Sequence, residues 1–212
     1  MPFHSGVVVL CQQGNKSPSG QTHSYPNALH AVDFSNVSAD AQEIVAAAEG
    51  TILETFTDAR KGDLQAGDGW GNYVKIGHGH GYYTVYAHLD RVRVNPGARV
   101  RQGDAIGRMG DTGAAGNPHL HFSLHHDSHP GPGVGRSVPF RILTADLNQS
   151  NAFSAMASEK IMGHGRGYSI DAGHLYASEN DGGPTKSGVP EEALGKRIKQ
   201  SHQGLLSSLS KP

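Results

Sequence analysis

The sequence predicts an all-β domain, an antiparallel β-sandwich or barrel-like fold, with a loop-rich C-terminal extension. Two observations carry the β assignment. Short runs of alternating apolar and polar residues recur as far as Arg141, separated by turn residues at close intervals. Glycine is abundant, 29 copies in 212 residues, and long apolar runs are few, which favours strands and turns over helices. A change of composition near residue 143 carries the boundary, giving a domain over 1–142 and an extension over 143–212.

In order, Gly6 to Gln13 reads as a first strand, and a Gly/Ser/Pro-rich loop then leads to Thr22-His23-Ser24. Leu29 to Phe34 reads as a second strand, with Leu29, Ala31 and Asp33 on one face and His30, Val32 and Phe34 on the other. A carboxylate inside an apolar strand is costly unless it is paired or bound to a cation. Residues 42–56 read as strand, turn at Glu49-Gly50 and strand, with helix as the alternative for the alanine-rich part. Arg60 to Gly71 reads as an exposed loop ending beside Trp70, which suits either core or substrate contact. Tyr73 to Ile76 and Tyr82 to Leu89 form a hairpin pattern around a Gly-rich turn that includes His78 and His80. By parity Tyr86 and His88 share a face, opposite Val85, Ala87 and Leu89.

Asn95-Pro96-Gly97 is a turn, and Val100 to Gly107 is strand, tight turn and strand. Asn117-Pro118 opens Pro118-His119-Leu120-His121-Phe122, in which His119 and His121 project to one face, roughly 7 Å apart along the backbone. Ser137 to Ile142 is a candidate edge segment. Residues 148–189 are rich in Ser, Gly, Asn and Asp and read as loop or disorder. Residues 190–209 form a candidate amphipathic helix, with Pro190 at its start, acidic residues in its first turn and Lys196, Arg197 and Lys199 after them.

Bulk properties narrow the function. The formal net charge is -1 and the pI about 6.9, so no basic field points to nucleic acid. The single cysteine, Cys11, permits no intrachain disulfide and no thiolate zinc knot, and it reads as a buried strand residue. No apolar run reaches the length of a membrane span. The N-terminus lacks a basic segment followed by an apolar one, so no signal peptide is expected. Export by a secretion machine, release by lysis, or origin in a longer exported chain is expected instead.

The histidines, 14 in all, raise the expectation of a metal site. His23, Asp33 and His121 offer themselves as ligands, with His88 and His119 as companions. Two histidines and one carboxylate leave a fourth position open on a tetrahedral zinc, as a catalytic site requires. Zinc lowers the pKa of bound water to about 7 and polarises a carbonyl. Unligated histidines beside it suit general acid–base work.

Taken together, several motifs resemble the lysostaphin- or LytM-type zinc endopeptidases, which cleave peptide bonds in bacterial peptidoglycan. The resemblance runs from about residue 2 to 140. It rests on Gln13-Gly14, Ala31-Val32-Asp33-Phe34, Gly71-Asn72-Tyr73-Val74, Tyr86-Ala87-His88-Leu89, Asn95-Pro96-Gly97, Val100 to Gly107, Asp111-Thr112-Gly113 and Pro118 to Phe122. It implies a zinc metalloendopeptidase with one zinc per chain, Asp33 and His121 as ligands, and His88 and His119 as catalytic residues. It also implies a peptidoglycan peptide as substrate, and action in the periplasm or outside the cell. The third ligand departs from the commonest pattern, because Leu29 stands where the family's first histidine usually lies. His23, reached through an inserted loop, is the expected replacement. His30 is the alternative, but on a regular strand it points away from the metal. Ser123 stands where the family usually has Glu, a residue that is not a ligand, so little consequence is expected.

Two other classes compete. One is a metal-free domain of the same fold that binds the cell wall or regulates another hydrolase. The other is a phosphocarrier domain using two histidines, which has no need of the Asp33 carboxylate. The sequence sets neither the oligomeric state nor the choice between a glycine bridge and a D-Ala to diamino acid cross-link.

Overall fold

The computed structural model describes residues 1–15, 23–37, 42–127, 134–140, 142, 144–146, 172–173, 175–178 and 180. The strands are β1 (Val8–Gln13), β2 (Val32–Asn36), β3 (Glu43–Val45), β4 (Gly50–Phe56), β5 (Asn72–Gly79) and β6 (Tyr82–Val92). β7 (Arg99–Val100), β8 (Ala105–Met109), β9 (Leu120–His126), β10 (Thr144–Asp146) and β11 (Leu175–Ser178) complete them. Only a short 3-10 segment, Ala66–Gly69, interrupts the β structure among the described residues. The all-β antiparallel expectation therefore holds.

The strands form one sheet in the order β10-β11-β1-β2-β9-β6-β5-β4-β7, with β3 and β8 attached through β6. The β5–β6 hairpin turns at His80 and Gly81, whose φ values of 50° and 78° suit the twist of the flanking strands. β6 is long because it serves two neighbours on one side. Tyr82 to Ala87 pair with β9, and Leu89 to Val92 pair with β8.

Alternation along the strands fills a core on each face. The larger one contains Val9, Cys11, Val32, Phe34, Ile76, Tyr86, Leu89, Ile106, Leu120 and Phe122. The smaller contains Ala28, Ala31, Trp70, Tyr73, Tyr83, Val85 and Ala87. Cys11 is buried, as its place after a Val/Leu run implies.

Several local expectations are corrected. The second strand starts at Val32 and not at Leu29. Backbone bonds from Ala28 N to Tyr25 O (2.9 Å) and from Ala31 N to Ala28 O (2.7 Å) hold residues 25–31 in consecutive turns, so Leu29 and His30 are not strand residues. His78 belongs to β5 and not to the turn, and its ring spans Glu49 O and Thr84 Oγ1. The parity reading of β6 fails at His88. Its φ is +60°, so Tyr86 and Leu89 share the larger core although they are three apart.

The sheet also continues past residue 142. β11 pairs with β1, β10 pairs with β11, and Asn180 Nδ2 donates to Met1 O (2.7 Å) and Ala46 O (3.0 Å). Leu175 to Ser178, read from sequence as loop, is thus a strand, because β1 offers it an unpaired edge. The candidate helix over 190–209 lies outside the described residues.

Candidate metal centre and active-site cleft

One cross-strand row builds the site. Gln13 of β1, Asp33 of β2, His121 of β9 and Ala87 of β6 are register partners in sequence across the sheet. Val32, Phe34, Leu120 and Phe122 point into the larger core, so Asp33 and His121 point to the opposite face. Pairing in the row, rather than loop flexibility, brings these two side chains together.

His23 joins them from outside the sheet ladder. Its Nε2 lies 3.1 Å from Asp33 Oδ2, and His121 Nδ1 lies 3.0 Å from Asp33 Oδ1. The ligand atoms of His23, Asp33 and His121 all fall within 4.8 Å of one another, and this is the metal-capable cluster among the described residues. His30 is not in it. Its backbone N–H instead donates to Ser137 Oγ (3.1 Å), which ties the 25–31 turns to the segment at 137.

The donor set fits a borderline divalent ion. Two imidazoles and a carboxylate are the ligand types zinc takes in open catalytic sites. Asp33 is a buried carboxylate whose Oδ1 faces His121 Nδ1 and whose Oδ2 faces His23 Nε2, and a buried charge of this kind is costly unless it is paired or bound to a cation. Burial pushes the Asp33 carboxyl upward, but the adjacent His121 and His23 outweigh it and hold it well below the usual carboxylate range. Burial, together with repulsion from His23 and His119, lowers His121 despite the attraction of Asp33. An ionised Asp33 beside a neutral His121 is the protonation state that metal binding needs.

Two further histidines flank the cluster. His88 and His119 have ring centroids 4.7 Å apart, and His88 is 5.9 Å from His121. His88 sits where β6 leaves β9 for β8, and its N–H donates to Trp70 O (2.9 Å) outside the ladder. The left-handed backbone there turns the imidazole onto the site face, which parity alone did not foresee. His88 Nδ1 donates to Thr112 O (2.8 Å), and His119 Nδ1 donates to Asn117 O (2.8 Å). In a neutral imidazole each Nε2 is then a lone-pair acceptor. Burial, reinforced by His121 and His119, pushes the His88 pKa down to about 3.

The cluster lies in a cleft lined by Gln12, Tyr25, Asn27, Asp68, Trp70 and Asn117 as well as the histidines. No Lys or Arg is among these described lining residues. Trp70 is both wall and core: it is 9% exposed and meets His121 edge-on at 4.8 Å. Tyr25 is 72% exposed at the rim.

Two participants were given no role from sequence, and a third, Ser123, was noted only as a departure from the family pattern. Thr112, marked only as part of a Gly-flanked turn, carries the His88 partner carbonyl and also bonds Asn72 N and Leu89 O through Oγ1. Gln13, quoted only within a motif, touches Asp33. Ser123 is fully buried, its Oγ 2.7 Å from Nε2 of the equally buried His125. Alternation from His121 placed Ser123 and His125 on the site face, but two polar side chains in a strand carry no signal of their pairing.

The chain was compared with known proteins. The family model for Peptidase family M23 matches residues 29–131, a span that holds Asp33, His88, His119 and His121 but begins after His23. An uncharacterized metalloprotease of Haemophilus influenzae is 39% identical over 94 residues, 44% of this chain and 18% of that one. The peptidoglycan DD-endopeptidase ShyC of Vibrio cholerae is 36% identical over 97 residues, 45% of this chain and 20% of that one. The chain thus spans about a fifth of the length of these curated relatives. The catalytic domain of lysostaphin from Staphylococcus simulans aligns with a TM-score of 0.40 and 25% identity, covering 64% of this chain and 82% of that one.

Proposed function

We propose that this chain, whose residues 29–131 match the model of Peptidase family M23, is a zinc-dependent endopeptidase that hydrolyses peptide bonds in bacterial peptidoglycan. One observation carries the reading: His23, Asp33 and His121 converge within 4.8 Å in a cleft where His88 and His119 stand unligated beside them. His23, Asp33 and His121 would hold one zinc. When bound, the metal supplies Lewis acidity at the scissile carbonyl and acidifies the attacking water.

The rest is the work of side chains. His88, which burial keeps neutral, and His119 are held in orientation through Nδ1 by Thr112 O and Asn117 O, which leaves Nε2 of each for the reacting groups. The imidazole that accepts the proton of the attacking water becomes a donor for the departing amine. Trp70 closes one side of His121 and limits water there. A cleft lined by amide side chains and an exposed tyrosine suits an extended peptide, to which it offers hydrogen bonds and a flat apolar ring. The substrate places the site of action in the periplasm or outside the cell.

The test is a metal determination on the purified chain, together with digestion of peptidoglycan from several bacteria read by mass. One zinc per chain and new peptide termini are expected, with the zinc lost in His121→Ala. A metal-free wild type that leaves peptidoglycan intact sinks the proposal and favours a binding or regulatory domain.

A further inference from the structure

The two oxygens of Asp33 are in different circumstances. Oδ2 accepts a hydrogen bond from Gln13 Nε2 at 3.1 Å, and it also lies 3.1 Å from His23 Nε2 and 3.8 Å from His119 Nε2. Oδ1 is buried and has no hydrogen-bond partner, although His121 Nδ1 lies 3.0 Å away. The identity of the Gln13 atom is dictated by chemistry, since only the amide N–H can face a carboxylate.

Gln13 reaches Asp33 because of an irregularity in β1. Cys11 opposes Phe34, so regular pairing would set Gln12 opposite Asp33, but the register shifts and Gln13 takes that place. Cys11 lies in the larger core, and unbroken alternation would send Gln13 there too. The bulge turns it to the site face. Re-aiming one side chain is what bulges beside functional sites commonly do.

We infer that Gln13 is a positioning residue for the metal centre, holding the Asp33 carboxylate by Oδ2 in the orientation it presents to the cation. The inference rests on His23, Asp33 and His121 being the zinc ligands. An imidazole nitrogen that ligates a metal uses its lone pair and has no proton to donate to Asp33. Once His23 Nε2 and His121 Nδ1, the nitrogens that face Asp33, are so engaged, the Gln13 amide is the side-chain donor left within hydrogen-bond distance of this carboxylate among the described residues, His119 Nε2 standing 3.8 Å from Oδ2. It resists rotation of the carboxylate and discourages ligation through both oxygens. Outer-shell partners of this kind are commonly worth 10- to 100-fold in metal affinity (about that range).

The experiment compares the full chain with Gln13→Met, which keeps length and removes the donor. Zinc affinity is read by competition with a chromophoric chelator, and thermal unfolding is read on the metal-free proteins. Zinc affinity is expected to fall about 10- to 100-fold, with metal-free unfolding unchanged. Should Gln13→Met not fold, the smaller Gln13→Ala takes the same two measurements. Unchanged zinc affinity overturns the inference, as does an affinity loss matched by an equal loss of metal-free stability. A wild type that binds no zinc overturns the ligand assignment itself, and so is distinguishable from failure of the role given to Gln13.

Discussion

The carbonyl of Thr112 accepts a hydrogen bond from His88 Nδ1 at 2.8 Å, and this one contact sets which nitrogen of His88 faces the cleft. The hydroxyl of Thr112 is held in turn, accepting from Asn72 N and donating to Leu89 O, each at 2.9 Å. Orientation of His88 therefore depends on the backbone around residues 71 and 112, far from it in sequence.

Gly71 tests that dependence. It has φ +65°, and a Cβ there would lie 2.4 Å from the carbonyl carbon, carbonyl oxygen and Oγ1 of Thr112. Thr112 must shift to admit it. Gly71→Ala is expected to lower stability by about 2–3 kcal/mol and to depress turnover beyond what that loss explains. Urea unfolding and peptidoglycan digestion at a temperature where the variant is folded measure the two effects.

Removal of the flanking and ligating histidines should have distinct signatures. His88→Ala and His119→Ala are expected to keep zinc and lose about 10²- to 10⁴-fold in turnover. His121→Ala is expected to lose zinc. Metal content by atomic spectroscopy beside digestion rates separates the two classes, and loss of zinc in His119→Ala would reverse the roles of His119 and His121.

Acid should destabilise the fold through His125. Burial pushes its pKa down to about 4 from a model-peptide value of 6.5, despite the Gly135 carbonyl that its Nδ1 meets at 2.9 Å. Between those two pH values the unfolded chain binds a proton that the folded one refuses, so stability rises with pH. The contribution is fully present above about pH 6.5 and is lost as pH falls toward 4, on the order of 3 kcal/mol at most. Chemical denaturation of wild type and His125→Gln across this window should show a shallower pH dependence in the variant. Parallel slopes would exclude His125 as the cause.

The strands beyond residue 142 should matter for folding. A chain ending at 142 loses β10 and β11, exposes the β1 edge at Val8 to Leu10 and removes Asn180 from Met1 and Ala46. Lower unfolding temperature and concentration-dependent association are expected. Asn180→Ala alone should cost about 1–3 kcal/mol, since it removes the two hydrogen bonds its amide gives to the backbone at Met1 and Ala46. Thermal scans with light scattering read both, and an unaffected truncation would restore the boundary at 142.

Much of the site was legible in the residues themselves. A period of two over Leu120 to Phe122 implies that His121 faces away from the core, and an Asp between Val32 and Phe34 implies a partner or a cation. Both are local facts, fixed by strand geometry and the cost of burying charge. Fold class followed in the same way from turn spacing and glycine content. What tertiary structure decided lies where periodicity breaks. The left-handed residue at His88 reverses its face, the bulge in β1 exchanges Gln12 for Gln13, and turns at 25–31 take His30 out of the strand and away from the cluster. His23 comes into the cluster from outside the sheet ladder, and β11 closes the edge of β1. Strand periodicity encodes none of these: the 25–31 turns close over three residues each, and the others depend on partners remote in sequence. The chain alone thus determined the residue types of the candidate cluster and the face they occupy, whereas only the assembled sheet decided which histidine joins it and which side chain meets Asp33 from β1.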